Sequence, residues 1–212
     1  MAEKRLVFGL GTGRCGTASL AYLMSQQEST HSSHELHPQL PWDSNTDFLT
    51  HKWITMDHQA HLFDTVFDSG SYFLPYVQIL INSWNQNSYA NNRYDIYFIC
   101  MKRDKQETVS SFLKKFEKQN NNPLQNHEDP KLVQNSWDLS FPKYDNCSLK
   151  EALEKYYDDY YAAARELEYK QPWAFRIFDV NALNSESGVK SILDFAGYKN
   201  PKIVTKIQKR KH

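Results

Sequence analysis

Net charge is the first thing this 212-residue sequence lacks: 25 Lys and Arg are balanced by 25 Asp and Glu. Without a basic or acidic excess, nothing marks a general nucleic-acid or membrane-surface binder. Cysteine is scarce as well. Cys15, Cys100 and Cys147 form no C-x-x-C pair, which argues against the usual structural zinc patterns. Cys100 lies in an apolar run, as a reduced thiol does, so the expected compartment is a reducing one. No apolar run is long enough to span a bilayer, and no secretory leader precedes the first apolar stretch. The expectation is a cytoplasmic protein with no membrane span. Glycine is rare too, at 7 residues, yet Gly9, Gly11, Gly13 and Gly16 crowd into one short stretch. Aromatics are plentiful, with 13 Tyr, 12 Phe and 5 Trp, so core material is not limiting. The length suits one domain spanning 1–212, and no internal repeat is visible.

The glycine cluster organises the chain. Leu6-Val7-Phe8 precedes it, and Leu20, Leu23 and Met24 follow at helical spacing, which reads as strand, glycine turn and helix. A helix start after such a turn points free N–H groups and the positive end of its dipole at an anion. Arg14 adds a planar cation, and Thr17 and Ser19 add hydroxyls. Three kinds of phosphate or sulfate cradle are compatible. Gly11 and Gly16 have the spacing of a nucleoside-triphosphatase loop, but Thr17 stands where the lysine belongs. Gly11, Gly13 and Gly16 satisfy the dinucleotide pattern, with Glu35 near the distance of a ribose-binding acid. The run Arg14-Cys15-Gly16-Thr17-Ala18-Ser19-Leu20 resembles the phosphosulfate loop of sulfotransferases.

Further along, Ser29–Glu35 reads as a weak second strand and Leu36–Asp47, with Pro38 and Pro41, as a loop. Phe48–His61 reads as helical, Leu62–Asp68 as a strand and Tyr72–Trp84 as a buried helix tolerating Pro75 in its first turn. Asp95–Met101 is the clearest strand, nearly continuous and apolar. Val109, Phe112, Leu113 and Phe116 mark a helix after it. Residues 119–147, rich in Asn and Pro, read as a lid or flexible insertion. Ser148-Leu149-Lys150-Glu151 is a capping box opening a long helix with a tyrosine stripe, Tyr156, Tyr157 and Tyr160, read as core. Ala174–Phe178 is a strand, a helix through Ala196 stops at Gly197, and 199–212 is a basic tail read as a solvated end. Alternating strands and helices predict an α/β fold in three layers, with a mostly parallel sheet of about five strands. In such sheets ligands collect at the carboxyl ends of the strands, which gathers the glycine turn, Glu35 and Lys102-Arg103-Asp104 on one edge.

Arg103 ends the strongest strand, and Ser111 lies eight positions on, where the next helix brings it back towards that edge. Two donors would then converge on a second anion. Standing alone, Arg103 would read as a surface partner of Asp104 or Glu107. The run Tyr97–Ser111 resembles the second sulfotransferase signature, in which an Arg at a strand end and a Ser eight positions later bind the 3′-phosphate of 3′-phosphoadenosine 5′-phosphosulfate (PAPS). Asp179-Val180-Asn181 and the helix up to Gly197 also resemble that family's late strand–helix unit. The resemblance therefore covers both ends of the chain and its middle, in order. It implies a sulfotransferase moving a sulfuryl group from PAPS to an acceptor hydroxyl of a carbohydrate, lipid or small molecule, without a metal and without nucleic acid. It further implies that Gly13, Arg14, Cys15, Gly16, Thr17, Ala18 and Ser19 hold the 5′-phosphosulfate, and Arg103 and Ser111 the 3′-phosphate of the donor and of the product, 3′-phosphoadenosine 5′-phosphate (PAP). Arg14 would stabilise charge on the bridging oxygen, and Glu35, with His34 as second choice, would take the acceptor proton. Two features depart from the family: Lys105 replaces the usual Pro after Arg-Asp, and no glycine follows Gly197, leaving Lys202, Lys206 or Lys209 as candidate substitutes for the usual loop. The alternatives are a P-loop kinase of a small molecule, a dinucleotide-binding oxidoreductase and a non-catalytic nucleotide-binding relative. His31, His34 and His37, spaced by three, read as polar loop histidines rather than a metal site. Trp42, Trp137 and Phe141 are candidates either to stack on an acceptor ring or to anchor their own loops.

Overall fold

The computed structural model describes residues 4–44, 46–85, 94–119, 122–125 and 136–205. Five strands run through it: β1 (Lys4–Leu10), β2 (Thr30–His34), β3 (Thr65–Ser69), β4 (Tyr94–Lys102) and β5 (Phe175–Asp179). All pair in parallel, in the order β2-β3-β1-β4-β5. The helices are α1 (Thr17–Ser25), α2 (Thr46–Leu62), α3 (Val77–Asn85), α4 (Lys105–Gln119), α5 (Ser136–Leu139), α6 (Leu149–Lys170) and α7 (Glu186–Phe195). The expected three-layer α/β architecture is therefore present, with every strand parallel. A 3₁₀ turn, Ser71–Tyr76, carries Pro75 and precedes α3, so the helix expected from Tyr72 starts its α-helical part at Val77.

β1 is the centre, and its alternation sorts the layers. Leu6, Phe8 and Leu10 join the larger core with α2, α3, α4 and α6, while Val7 joins the smaller one with α1 and α7. Phe8 stacks on Phe98 at 5.1 Å and meets Phe73 edge-on at 5.0 Å, tying β1 to its neighbour and to the layer above. β2, the weak expectation, is real: its pairing with β3 runs from Thr30–Thr65 to His34–Ser69. It is an edge strand with no fully buried residue, which is why its sequence is polar.

The chain leaves β1 towards β3 and β2, and leaves β4 towards β5, so the connections diverge between β1 and β4. That divergence opens a crevice at the carboxyl ends of the two strands. The glycine turn follows β1 and Arg103 follows β4. Topology alone thus brings the two sequence motifs side by side.

Candidate functional site

The glycine turn is built so that no larger residue fits at its bends. A Cβ on Gly11 (φ +142°) would stand 2.3 Å from Cys15 Sγ and 2.7 Å from the Met101 carbonyl oxygen. Gly16 (φ +101°) is the residue before α1, in the left-handed region, where it contributes no side-chain cap. The first intrahelical bond is Leu20 N–H to Gly16 O, 2.9 Å, so the N–H groups of Thr17, Ala18 and Ser19 make up the uncapped first turn. Arg14 itself has φ +56° and its side chain is exposed. Cys15 points the other way: it is wholly buried, burial pushes its thiol up, and only its backbone remains for a ligand.

The second motif reaches the first. Arg14 Nε donates to Ser111 Oγ at 3.0 Å, and Arg103 Nη1 donates to the Arg14 carbonyl at 3.4 Å. Arg103, Arg14 and Ser111 thus form one exposed cluster across the crevice. Arg103 also keeps the surface pairing that its sequence position allowed, Nε to Glu107 Oε2 at 2.7 Å. An exposed pair of this kind contributes about 0–1 kcal/mol, so it holds Arg103 only weakly. Asp104 accepts from Glu107 N–H at 3.0 Å and thereby starts α4, which fixes the angle at which Ser111 returns.

Four tyrosines of α6 hold this half in place. Tyr160 OH accepts from Gly11 N–H at 2.9 Å and donates to Ser71 O at 3.2 Å. Tyr156 OH donates to Thr12 O, Tyr161 OH to Met101 O and Tyr157 OH to Arg103 O, at 3.2, 2.7 and 2.7 Å. The stripe is core, as its periodicity implied, but its hydroxyls also pin the glycine turn and the end of β4. Burial raises the pKa of all four.

The base candidates lie at the end of β2, His34 as its last residue and Glu35 just after it. His34 Nε2 lies 3.2 Å from Thr17 Oγ1, a direct link to the cradle. Glu35, half-buried with φ +56°, donates its N–H to Ser69 O at 2.8 Å. Its carboxylate acts on Lys115, a residue sequence reading passed over. Burial lowers the Lys115 ammonium below the ordinary lysine value; Glu35 opposes that shift and Arg14 adds to it. Lys115 lies one helical turn after Ser111, and that i, i+4 relation was the available signal. Glu35 and Arg14 are therefore both electrostatic neighbours of Lys115.

Lys52 and Asp68 were also passed over. They form an ion pair of 2.6 Å with side chains 1 % and 0 % exposed. Of the acceptor-loop aromatics, Phe141 is buried against Phe112, Phe116 and Tyr156, and Trp42 packs edge-on to Tyr156 at 5.8 Å, so both anchor their loops. The Trp137 side chain lies outside the described residues, as do 120–121 and 126–135 of the expected lid and 206–212 of the tail. Lys202 is tied through its backbone to Gln27, beyond the far end of α1 from the cradle. His31 and His34, three apart on a strand, face opposite sides, and His31 lies against Phe63. Comparison with protein-family models gives no match, and comparison with curated proteins gives none either.

Proposed function

We propose that this chain is a sulfotransferase that takes the sulfuryl group of PAPS to an acceptor hydroxyl. The observation that carries the reading is the Arg103–Arg14–Ser111 cluster, in which two motifs distant in sequence converge beside an uncapped helix start. A nucleotide with phosphates at both the 5′ and the 3′ position gives each motif a use. The residues fit such a donor: three first-turn N–H groups and Arg14 for the 5′ end, Arg103 and Ser111 for the 3′-phosphate. Bound there, PAPS supplies the sulfuryl group.

The rest falls to the chain. Thr17, Ala18 and Ser19 orient the 5′ end through fixed N–H groups, whose dipoles need no reorganisation when charge grows. Arg14 stabilises that charge as a permanent cation, since a guanidinium does not give up its proton. Glu35, at the turn after β2, takes the proton from the acceptor hydroxyl, and His34 is the second candidate through its contact with Thr17. Positioning and electrostatics therefore account for the catalysis, as in phosphoryl transfer.

The test is a thermal-shift titration with PAP, ATP and NAD in parallel. PAP at a hundred times its dissociation constant adds about 2.7 kcal/mol of stability. Arg103→Ala weakens PAP about 10- to 100-fold, the loss of one or two charge-assisted hydrogen bonds, without changing stability in its absence. Glu35→Ala keeps PAP binding and loses turnover. Stabilisation by ATP or NAD instead assigns the glycine loop to another family, and retained turnover in Glu35→Ala moves the base to His34.

A further inference from the structure

We infer that the buried Lys52–Asp68 pair is a positioning device that holds the residue following Glu35, Leu36, at both its N–H and its C=O. The inference rests on the sulfotransferase reading for its consequence, but the device is geometric. Asp68 Oδ1 accepts from Leu36 N–H at 3.2 Å and from Ser33 Oγ at 2.9 Å. Lys52 Nζ donates to the Leu36 carbonyl and pairs with Asp68 Oδ2 at 2.6 Å. Tyr72 OH closes the network, 3.3 Å from Lys52 Nζ and 3.4 Å from Asp68 Oδ2. Leu36 is thus bound at its N–H by one member of the pair and at its C=O by the other. Ser33 is bound just before, and Glu35 N–H is bound to Ser69 O.

The held segment needs holding. Glu35 sits in the left-handed region, a conformation that costs a non-glycine residue about 1 kcal/mol or more and persists where the surroundings over-determine it. A strand edge and a polar loop would not supply that constraint. A buried ion pair does, because neither charge has water to turn to. Lys52 occupies the sheet-facing line of α2 with Met56 and Ala60, a place where an aliphatic residue would pack without desolvating a charge. Its amine reaches back 16 residues to the Leu36 carbonyl. Two elements, α2 and β3, therefore set the direction of the Glu35 side chain without touching substrate.

The experiment compares the wild-type chain with two charge-balanced variants. Lys52→Met/Asp68→Leu removes both holds on Leu36 and leaves no orphan charge. Lys52→Met/Asp68→Asn restores an acceptor for the Leu36 N–H. Three quantities are read: amide hydrogen exchange at Leu36 against that of Thr17, Ala18 and Ser19; PAP affinity by calorimetry; and the rate of PAPS consumption with water as the acceptor. In the Leu variant, exchange at Leu36 rises at least about 10-fold while the cradle amides hold. PAP affinity stays within about twofold and PAPS consumption falls about 10- to 100-fold, as expected for a misplaced base. The Asn variant recovers part of both losses. A general structural role would loosen all the amides and weaken PAP together, and that result overturns the inference. So does unchanged exchange at Leu36, or an unchanged rate in the Leu variant. A wild-type chain that neither binds PAP nor consumes PAPS overturns the sulfotransferase reading instead, and local loss of Leu36 protection then still upholds the clamp.

Discussion

The crevice has two walls held by opposite chemistry. On the wall formed by the glycine turn and the end of β4, neutral tyrosine hydroxyls of α6 bind backbone groups at Gly11, Thr12, Met101 and Arg103. On the Glu35 wall, one almost wholly buried ion pair binds the backbone at Leu36. The first arrangement divides the constraint among several bonds of about 1 kcal/mol each, so losing one leaves the others. The second concentrates it in two charges that are costly to bury singly. On the proposed function, the glycine turn presents backbone N–H groups and tolerates a shared scaffold, whereas Glu35 as the base needs a fixed direction, which the ion pair supplies.

The comparison is broken most sharply at Asp68. Asp68→Ala leaves the Lys52 ammonium buried and unpaired, and denaturant unfolding should show a loss of about 3–5 kcal/mol, whereas Lys52→Met/Asp68→Leu should fall well short of that. On the opposite wall, Tyr160→Phe leaves the buried Gly11 N–H without its acceptor and should lose about 1–3 kcal/mol, with PAP affinity reduced alongside. Alkaline pH loads both walls without mutation, since Tyr72 belongs to the Lys52–Asp68 network. Tyr72, Tyr156, Tyr160 and Tyr161 are held by burial above the ordinary tyrosine value. They keep their protons in the folded state while the unfolded chain begins to release its own near pH 10. Stability is therefore fully present below about pH 10 and falls above it, by about 1.4 kcal/mol per pH unit for each such tyrosine. Lys52, lowered by burial against the pull of Asp68 and Glu35, runs the other way, as its folded form releases its proton first. One group does not offset four, so thermal melts should show a net decline. The smallest effect is expected at Glu107: Glu107→Gln frees Arg103 from its surface pair and should tighten PAP by a few-fold with stability changed by less than about 1 kcal/mol.

How much of this was legible differs along the chain. The glycine turn declared itself because tight bends and backbone approach admit few other residues, and β4 because a strand covered on both faces is nearly continuously apolar. The capping box at Ser148 and Glu151 was readable as a local motif and is formed, Glu151 N–H donating to Ser148 Oγ and Ser148 N–H to Glu151 Oε2. β2 was faint because an edge strand with half-exposed faces carries little hydrophobic pattern. α2 was readable as a helix, but not its orientation: the apolar Ile54 is 60 % exposed while Lys52 is buried. The tyrosine stripe was readable as a buried face, though not the destinations of its hydroxyls, since Tyr160 and Gly11 stand 149 residues apart.

What the sequence determined by itself is therefore what local physics dictates: the strand, turn and helix at Gly9–Leu20, the apolar β4, the periodic faces of α4 and α6, and the α/β alternation. Periodicity, capping and glycine geometry act over a few residues and can be read there. The tertiary structure alone decided which carboxyl ends become neighbours, that Arg14 meets Ser111 across 97 residues, and that a lysine in the sheet-facing line of α2 finds Asp68. Those choices depend on strand order and helix rotation, and a buried charge is stable only where the rest of the fold has already placed its partner.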